Sequence, residues 1–197
     1  MAVLWSNDPI MQGLADRLPP PPPPSPREPY VYLLGAIVSQ QLSTRVASVI
    51  YERFLNLFPE RYPAAQTLLD MPAETLRAAG LSGQKTAYLK NIAAFHLATP
   101  MDAAHLGALS DEEVIRHLTQ IKGVGRWTVE MLLMFPMNRP DVFPVDDLGI
   151  RQSIITLYGL TETGKALQKR LFEVAENWRP HRTLACKYLW RARDGAK

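Results

Sequence analysis

Apolar residues recur three and four positions apart along most of this chain, and no strand-like alternation stands out. That period predicts helices with one inward stripe and no sheet, so the expected fold class is all-α. Residues 30–38 (YVYLLGAIV) are apolar on every side and predict a buried helix. A second helix is expected over 44–57, with Ser43 as its cap and Val46, Val49, Ile50, Phe54 and Leu57 inward. Shorter helices are predicted over 64–70 and 72–79, the latter ended by Gly80. Ser82 opens a longer one over 83–97. Residues 110–118 (SDEEVIRHL) combine a Ser cap, an acidic first turn and apolar helical spacing. Further helices are expected over 126–135, over 150–158 with Gly159 as stop, over 163–175, and over 184–193. Near the start, Asp8 and Pro9 fit the cap and first position of a helix over 9–18. The proline run 19–24, with Pro26 and Pro29, cannot be helical and reads as polyproline II, either a stiff connector strapped across the fold or a ligand for a peptide-binding domain.

The connectors carry the candidate chemistry. Ile121-Lys122-Gly123-Val124-Gly125 is a tight turn between two helices, and its glycines allow a chain reversal that a β-carbon would obstruct. The helix after it begins with N–H groups that lack intrahelical partners and with the positive end of its dipole. Such a terminus seats a phosphate, here with Lys122 and Arg126 at its edges. The same turn also fits a plain helix corner. About twenty residues on, Asp146 and Asp147 sit between a Phe-Pro-Val run and the next helix. One of them can cap that helix and leave the other facing a cleft; spacing does not choose between them. Gln40 and Gln41 form an unusual amide pair between apolar helices, readable as a solvated loop, since amides are costly to bury without partners.

Composition narrows the class. The chain has 197 residues, 47% apolar and 21% charged, with a net charge of only +3, so a nucleic-acid surface must be a local patch. One cysteine, Cys186, excludes an internal disulfide and a cysteine-only metal site. His96, His105 and His117 share no metal-ligand spacing. With no secretory signal and no apolar run of membrane-spanning length, a soluble cytoplasmic protein is expected. The C-terminal tail is basic at Arg191, Arg193 and Lys197.

The hairpin followed by Pro144-Val145-Asp146-Asp147 resembles the helix-hairpin-helix/Gly-Pro-Asp superfamily of DNA glycosylases. GVGRWT (123–128), DVFPVDDLGIRQ (141–152) and the Trp178-Arg179-Pro180-His181-Arg182 stretch look most like its alkylbase, 3-methyladenine type II branch. The resemblance spans about residues 7 to 193. It implies a two-lobed helical fold with the active site in the cleft between lobes. The expected lobes are about 39–140, including the hairpin at 110–135, and about 1–38 plus 141–197. It also implies the compact form, without the β-rich domain that some relatives carry ahead of this core.

Residue by residue, the family pattern Asp-x-x-Ile falls on Asp147 to Ile150, which makes Asp147 catalytic and leaves Asp146 as the helix cap. Gln41 matches the side chain that fills the gap left by a flipped nucleotide. Trp127 and Trp190 are the base-pocket aromatics. Lys122, Gly123, Gly125 and Arg126 are implied phosphate contacts, with Lys85 in a second phosphate-contacting turn. Trp178 packs a corner, and Arg182 ties that corner down or approaches phosphate. No cofactor is required, but the backbone carbonyls of Thr119, Ile121 and Val124 match the family's seat for a monovalent cation, Na+ or K+.

The implied activity is hydrolysis of the glycosidic bond of alkylated purines in double-stranded DNA by a monomer, for base excision repair. Bifunctional relatives carry a Lys immediately after Gly-x-Gly-x; Trp127 fills that slot, and an indole cannot form a Schiff base. The product is therefore an abasic site, without lyase cleavage. The alternatives are a glycosylase for another lesion class and a non-catalytic helix-hairpin-helix DNA-binding module. Lesion range is set by pocket volume, which a sequence does not encode legibly.

Overall fold

The computed structural model describes residues 5–23 and 25–195, so Pro24 of the proline run and Lys197 of the basic tail lie outside the described residues. Twelve α-helices and a short 3₁₀ turn (Pro59–Arg61) make up the regular structure, with no strand among the described residues. In order they are α1 (Pro9–Arg17), α2 (Pro29–Ser39), α3 (Thr44–Leu55), α4 (Ala65–Asp70), α5 (Ala73–Ala78) and α6 (Gly83–Ala98). Then come α7 (Ala103–Ala108), α8 (Asp111–Leu118), α9 (Arg126–Met134), α10 (Leu148–Tyr158), α11 (Gly164–Glu176) and α12 (Arg182–Gly195). The all-α expectation holds; the described prolines 19–23 and Pro26 carry no helix, but Pro29, expected to be non-helical, opens α2, where its missing N–H costs no intrahelical bond.

Local signals place most boundaries. Asp8 caps α1 by accepting from the amides of Ile10 and Met11 at 3.1 and 3.0 Å. Ser82 caps α6 through the amide of Lys85. Ser110 and Glu113 form a reciprocal capping box on α8, satisfying two donors that the first turn would otherwise leave open. Gly159 ends α10 in the left-handed region. Ser43 stands at the head of α3, but its side chain makes no capping hydrogen bond.

The chain divides into two compact units, 26–132 and 5–25 plus 133–195 among the described residues. The first dividing point differs from the expected 39 because α2 packs on α3 and α6 and so belongs with them, and the second falls at 132 rather than about 140. In the 26–132 unit α6 is the central element, packed by α2, α4 and α5. Its core includes Leu33, Leu34, Ile37, Phe54, Leu68, Leu89 and Ile92, all fully buried. Each such side chain contributes roughly 1.5–3 kcal/mol by leaving water.

On α3 the buried stripe is Ala47 and Phe54, continued by Phe58 beyond the helix. Val46 and Val49, expected inward, are 45% and 46% exposed. The apolar sector of α3 is wider than the face its neighbours cover: Val46 lies about a quarter-turn round from the Ala47–Phe54 face and Val49 nearly opposite it.

The other unit packs α12 against α10 and α1. Asp8 serves it twice. One carboxylate oxygen caps α1, and the other accepts the Tyr158 hydroxyl at 2.5 Å and the Trp178 indole N–H at 2.9 Å. Trp178 is fully buried, in the structural role expected of it. Arg182 grips Asp141 with Nε on Oδ1 at 2.8 Å and Nη2 on Oδ2 at 2.9 Å, and so ties the corner down. Among the described residues no helix is long and apolar enough to cross a membrane.

Candidate nucleic-acid and catalytic site

The 26–132 unit holds the hairpin. Gly123 adopts φ +107°, and a β-carbon there would collide with the ring of Tyr88. Gly123 is thus required twice over, by its backbone and by the ring packed under the turn. Gly125 needs no positive φ, so the reversal rests on one glycine rather than two. Val124 N–H closes the turn on the Ile121 carbonyl at 3.0 Å, and Asn91 Nδ2 donates to the Lys122 carbonyl at 3.1 Å. The Lys122 side chain is exposed beside the start of α9.

Two of the expected phosphate contacts are otherwise engaged. Arg126 donates Nε to Glu130 at 3.0 Å and pairs its two terminal nitrogens with Glu112. Both edges of its fork face carboxylates while the side chain stays half exposed, and the Glu112 pair braces α9 against α8. Lys85 points inward, with Nζ donating to the carbonyls of Val38 at 2.7 Å and Gln40 at 2.8 Å. These are carbonyls at the C-terminal end of α2, where intrahelical partners run out. Burial pushes the Lys85 ammonium below its ordinary pKa. The Lys85 side chain is thus a clasp on the glutamine loop rather than a free ammonium at the expected second turn. Sequence cannot reveal this, because its partners lie more than forty residues away.

Beside that clasp, Gln41 is exposed and adopts φ +59°, a left-handed conformation that costs a non-glycine residue about 1–3 kcal/mol. Gln40, Gln41 and Trp127 line a cavity of about 810 Å³ together with Tyr32, Tyr51 and Met131. Trp127 is 45% exposed, and burial pushes the Tyr32 phenol up to about 12. The structure therefore brings the expected gap-filling residue and one expected pocket aromatic to the same cavity. Tyr32 and Tyr51 join them with no sequence signal beyond their helical register.

In the other unit Asp147 is 9% exposed and is the N-cap of α10, accepting from the Ile150 amide through Oδ1 at 2.8 Å. The cap is thus Asp147, and the expectation that Asp146 caps is corrected; Asp146 is exposed. Trp190, 43 residues on, donates its indole N–H to the same Oδ1 at 3.0 Å. Trp190 also stacks on Phe135, with ring centroids 5.7 Å apart and planes at 22°. Lys187 Nζ lies 5.4 Å from the Phe135 centroid. Two donors on one oxygen fix the rotamer of the carboxylate, which a residue merely near a cleft would lack. Phe135 was not singled out by the sequence, because its contact with Trp190 joins positions 55 residues apart.

The 26–132 unit thus carries a glycine-turned helix hairpin, and the other unit a buried, doubly anchored carboxylate beside an indole. The model of the HhH-GPD superfamily of base excision DNA repair proteins matches residues 34–180, and the chain belongs to that superfamily. DNA-3-methyladenine glycosylase 1 of Schizosaccharomyces pombe is 41% identical over 170 residues, covering 84% of this chain and 72% of that protein. Among solved structures, a Schizosaccharomyces pombe 3-methyladenine DNA glycosylase in complex with abasic DNA superposes with a TM-score of 0.85 at 37% identity. That match covers 97% of this chain and 94% of the other. A DNA-3-methyladenine glycosidase from Bacillus halodurans gives 0.85 at 33% identity, covering 96% and 87%.

Proposed function

We propose that this chain is a monofunctional DNA glycosylase. It hydrolyses the N-glycosidic bond of alkylated purines of the 3-methyladenine and 7-methylguanine type in duplex DNA, leaving an abasic site for base excision repair. The observation that carries the chemistry is the Asp147 carboxylate, held by the Ile150 amide and the Trp190 indole.

A base inside a duplex is out of reach, so the nucleotide is first extruded at a cost of a few kcal/mol. The hairpin at Lys122, Gly123 and Gly125 offsets this through phosphate binding. Gln41, held ready in its strained turn by the Lys85 clasp, enters the gap and hydrogen-bonds the orphaned base. Alkylation at N3 or N7 makes the purine cationic, and the indole faces of Trp127 and Trp190 attract such a ring; a desolvated cation–π contact is worth about 2 kcal/mol. The C1′–N bond breaks with its electron pair going to the base, which leaves as a neutral alkylpurine. Asp147 stabilises the cationic sugar and orients a water, whose oxygen bonds to C1′ while its proton passes to the carboxylate. Trp127 stands where a Schiff-base lysine would be needed, so no strand cleavage follows.

The carbonyls of Thr119, Ile121 and Val124 fit a monovalent cation. They are hard oxygen donors, and the Ile121 carbonyl keeps a lone pair beyond its bond to Val124. A cation there would add positive charge beside a bound phosphate. The protein is further proposed to act as a cytoplasmic monomer.

The test is release of free bases from methylated duplex DNA, with borohydride trapping in parallel. Released methylpurines, abasic product and no trapped adduct support the reading. DNA binding without release of any base from a broad lesion panel would replace it with a binding module.

A further inference from the structure

Gly149 lies two residues after Asp147, in the first turn of α10. Its surroundings are unusually crowded for the start of a helix. A β-carbon placed on it would fall against the guanidinium of Arg193, 3.1 Å from Asp147 Oδ1 and 3.3 Å from Trp190 Cδ1. Three groups of different chemistry thus converge on the one point that glycine leaves empty. Arg193 stands three residues after Trp190 on α12, so one helix delivers the indole and the guanidinium to the same side of Asp147. Arg193 is exposed, and among the described residues it has no hydrogen-bonded or ion-pair partner. By contrast Arg126, Arg179 and Arg182 are held by carboxylates.

From this geometry we infer that Arg193 is a phosphate-binding residue of the site: it grips a phosphodiester oxygen of the extruded nucleotide beside Asp147. Gly149 is the specificity device that keeps the space open for it. The inference rests on the glycosylase reading and deepens it. A guanidinium offers paired donors matched to a phosphate's oxygens, and an unoccupied one beside a buried carboxylate meets the phosphodiester that flanks the sugar under attack. Holding that phosphate fixes C1′ against the carboxylate, so Arg193 contributes to binding and to alignment together. It also supplies positive charge that Lys85, committed to carbonyls at the end of α2, does not.

The test uses the full chain and a duplex bearing one stable abasic-site analogue, with wild type, Arg193→Met, Arg193→Lys and Gly149→Ala. Affinity is measured across a salt series, and single-turnover base release is followed on methylated duplex. Loss of one phosphate contact lowers the slope of log Kd against log salt by about 1. Arg193→Met is expected to show that drop with about tenfold weaker binding and slower release, and Arg193→Lys to recover the slope but only part of the rate. Gly149→Ala displaces the flexible end of Arg193 and presses on Asp147 and Trp190, so it is expected to remain folded by circular dichroism and to match Arg193→Met in affinity and salt slope, while its release rate falls further. Unchanged affinity and slope in Arg193→Met overturn the inference, whatever happens to the rate. Wild-type protein that releases no base, with the slope still falling in Arg193→Met, would remove the glycosylase reading and leave the phosphate contact standing.

Discussion

Trp190 donates its indole N–H to Asp147 Oδ1 at 3.0 Å, on the same oxygen that accepts the Ile150 amide. One carboxylate oxygen therefore does two structural jobs, capping α10 and anchoring the last helix at the site. This relationship predicts a separation between folding and chemistry at Asp147. Asn caps helices about as well as Asp and keeps an oxygen for both donors. Asp147→Asn is expected to melt within a few degrees of wild type, to bind lesion-bearing duplex, and to release methylpurine at least about 10²-fold more slowly through loss of charge. Retained activity would move the chemistry to another group.

Trp190→Phe keeps an aromatic face against Phe135 and removes only the donor. A hydrogen bond to a charged group is worth about 1.5–3 kcal/mol, so release is expected to slow roughly ten- to hundredfold. The duplex affinity of the variant should change far less. A matching fall in affinity would mean that Trp190 mainly grips the base rather than orienting the carboxylate.

Lys85→Met removes both hydrogen bonds from the end of α2. Leaving those carbonyls unsatisfied should cost about 1–3 kcal/mol in chemical denaturation. Loosening the Gln40–Gln41 loop should also weaken binding to abasic duplex, without the reduced salt slope of a lost phosphate contact. A normal stability with a reduced slope would restore Lys85 to the DNA surface.

Gly123→Ala is expected to be among the most damaging single-methyl changes in the chain. The new β-carbon meets the Tyr88 ring, and the backbone at φ +107° disfavours any side chain. Thermal melting should fall by several degrees and duplex binding should weaken. The double variant Gly123→Ala/Tyr88→Ala should recover part of the stability, because the clash goes while the backbone strain stays.

Acid stability should depend on Asp141. Partial burial tends to raise its pKa, but the hydrogen bond and charge of Arg182, assisted by Arg179, prevail and hold it below the ordinary carboxylate value. A group depressed in the fold stabilises fully above its unfolded pKa of about 3.9 and loses that contribution as pH falls through the lower folded value. Asp141→Asn is therefore expected to be less stable than wild type at pH 7, with the gap closing as pH drops below about 4. A gap that stays constant to pH 2 would show that the ion pair adds nothing.

Helix order, the hairpin and the catalytic candidate were legible in the chain because each is written within a turn or two of helix. Ser110 with Glu113, the turn at Gly123 and the Asp-x-x-Ile pattern at Asp147 are satisfied by neighbours in sequence. What tertiary structure alone decided is which charged groups remain available. The side chains of Lys85 and Arg126, singled out as phosphate ligands, are paired in this structure with carbonyls at the end of α2 and with Glu112 and Glu130. Arg193 passed for an ordinary tail residue and stands instead beside Asp147 and Trp190, over a glycine that admits it. The physical reason is that hydrophobic period and caps act through local backbone geometry, whereas the partner of a long polar side chain is fixed only when distant helices pack.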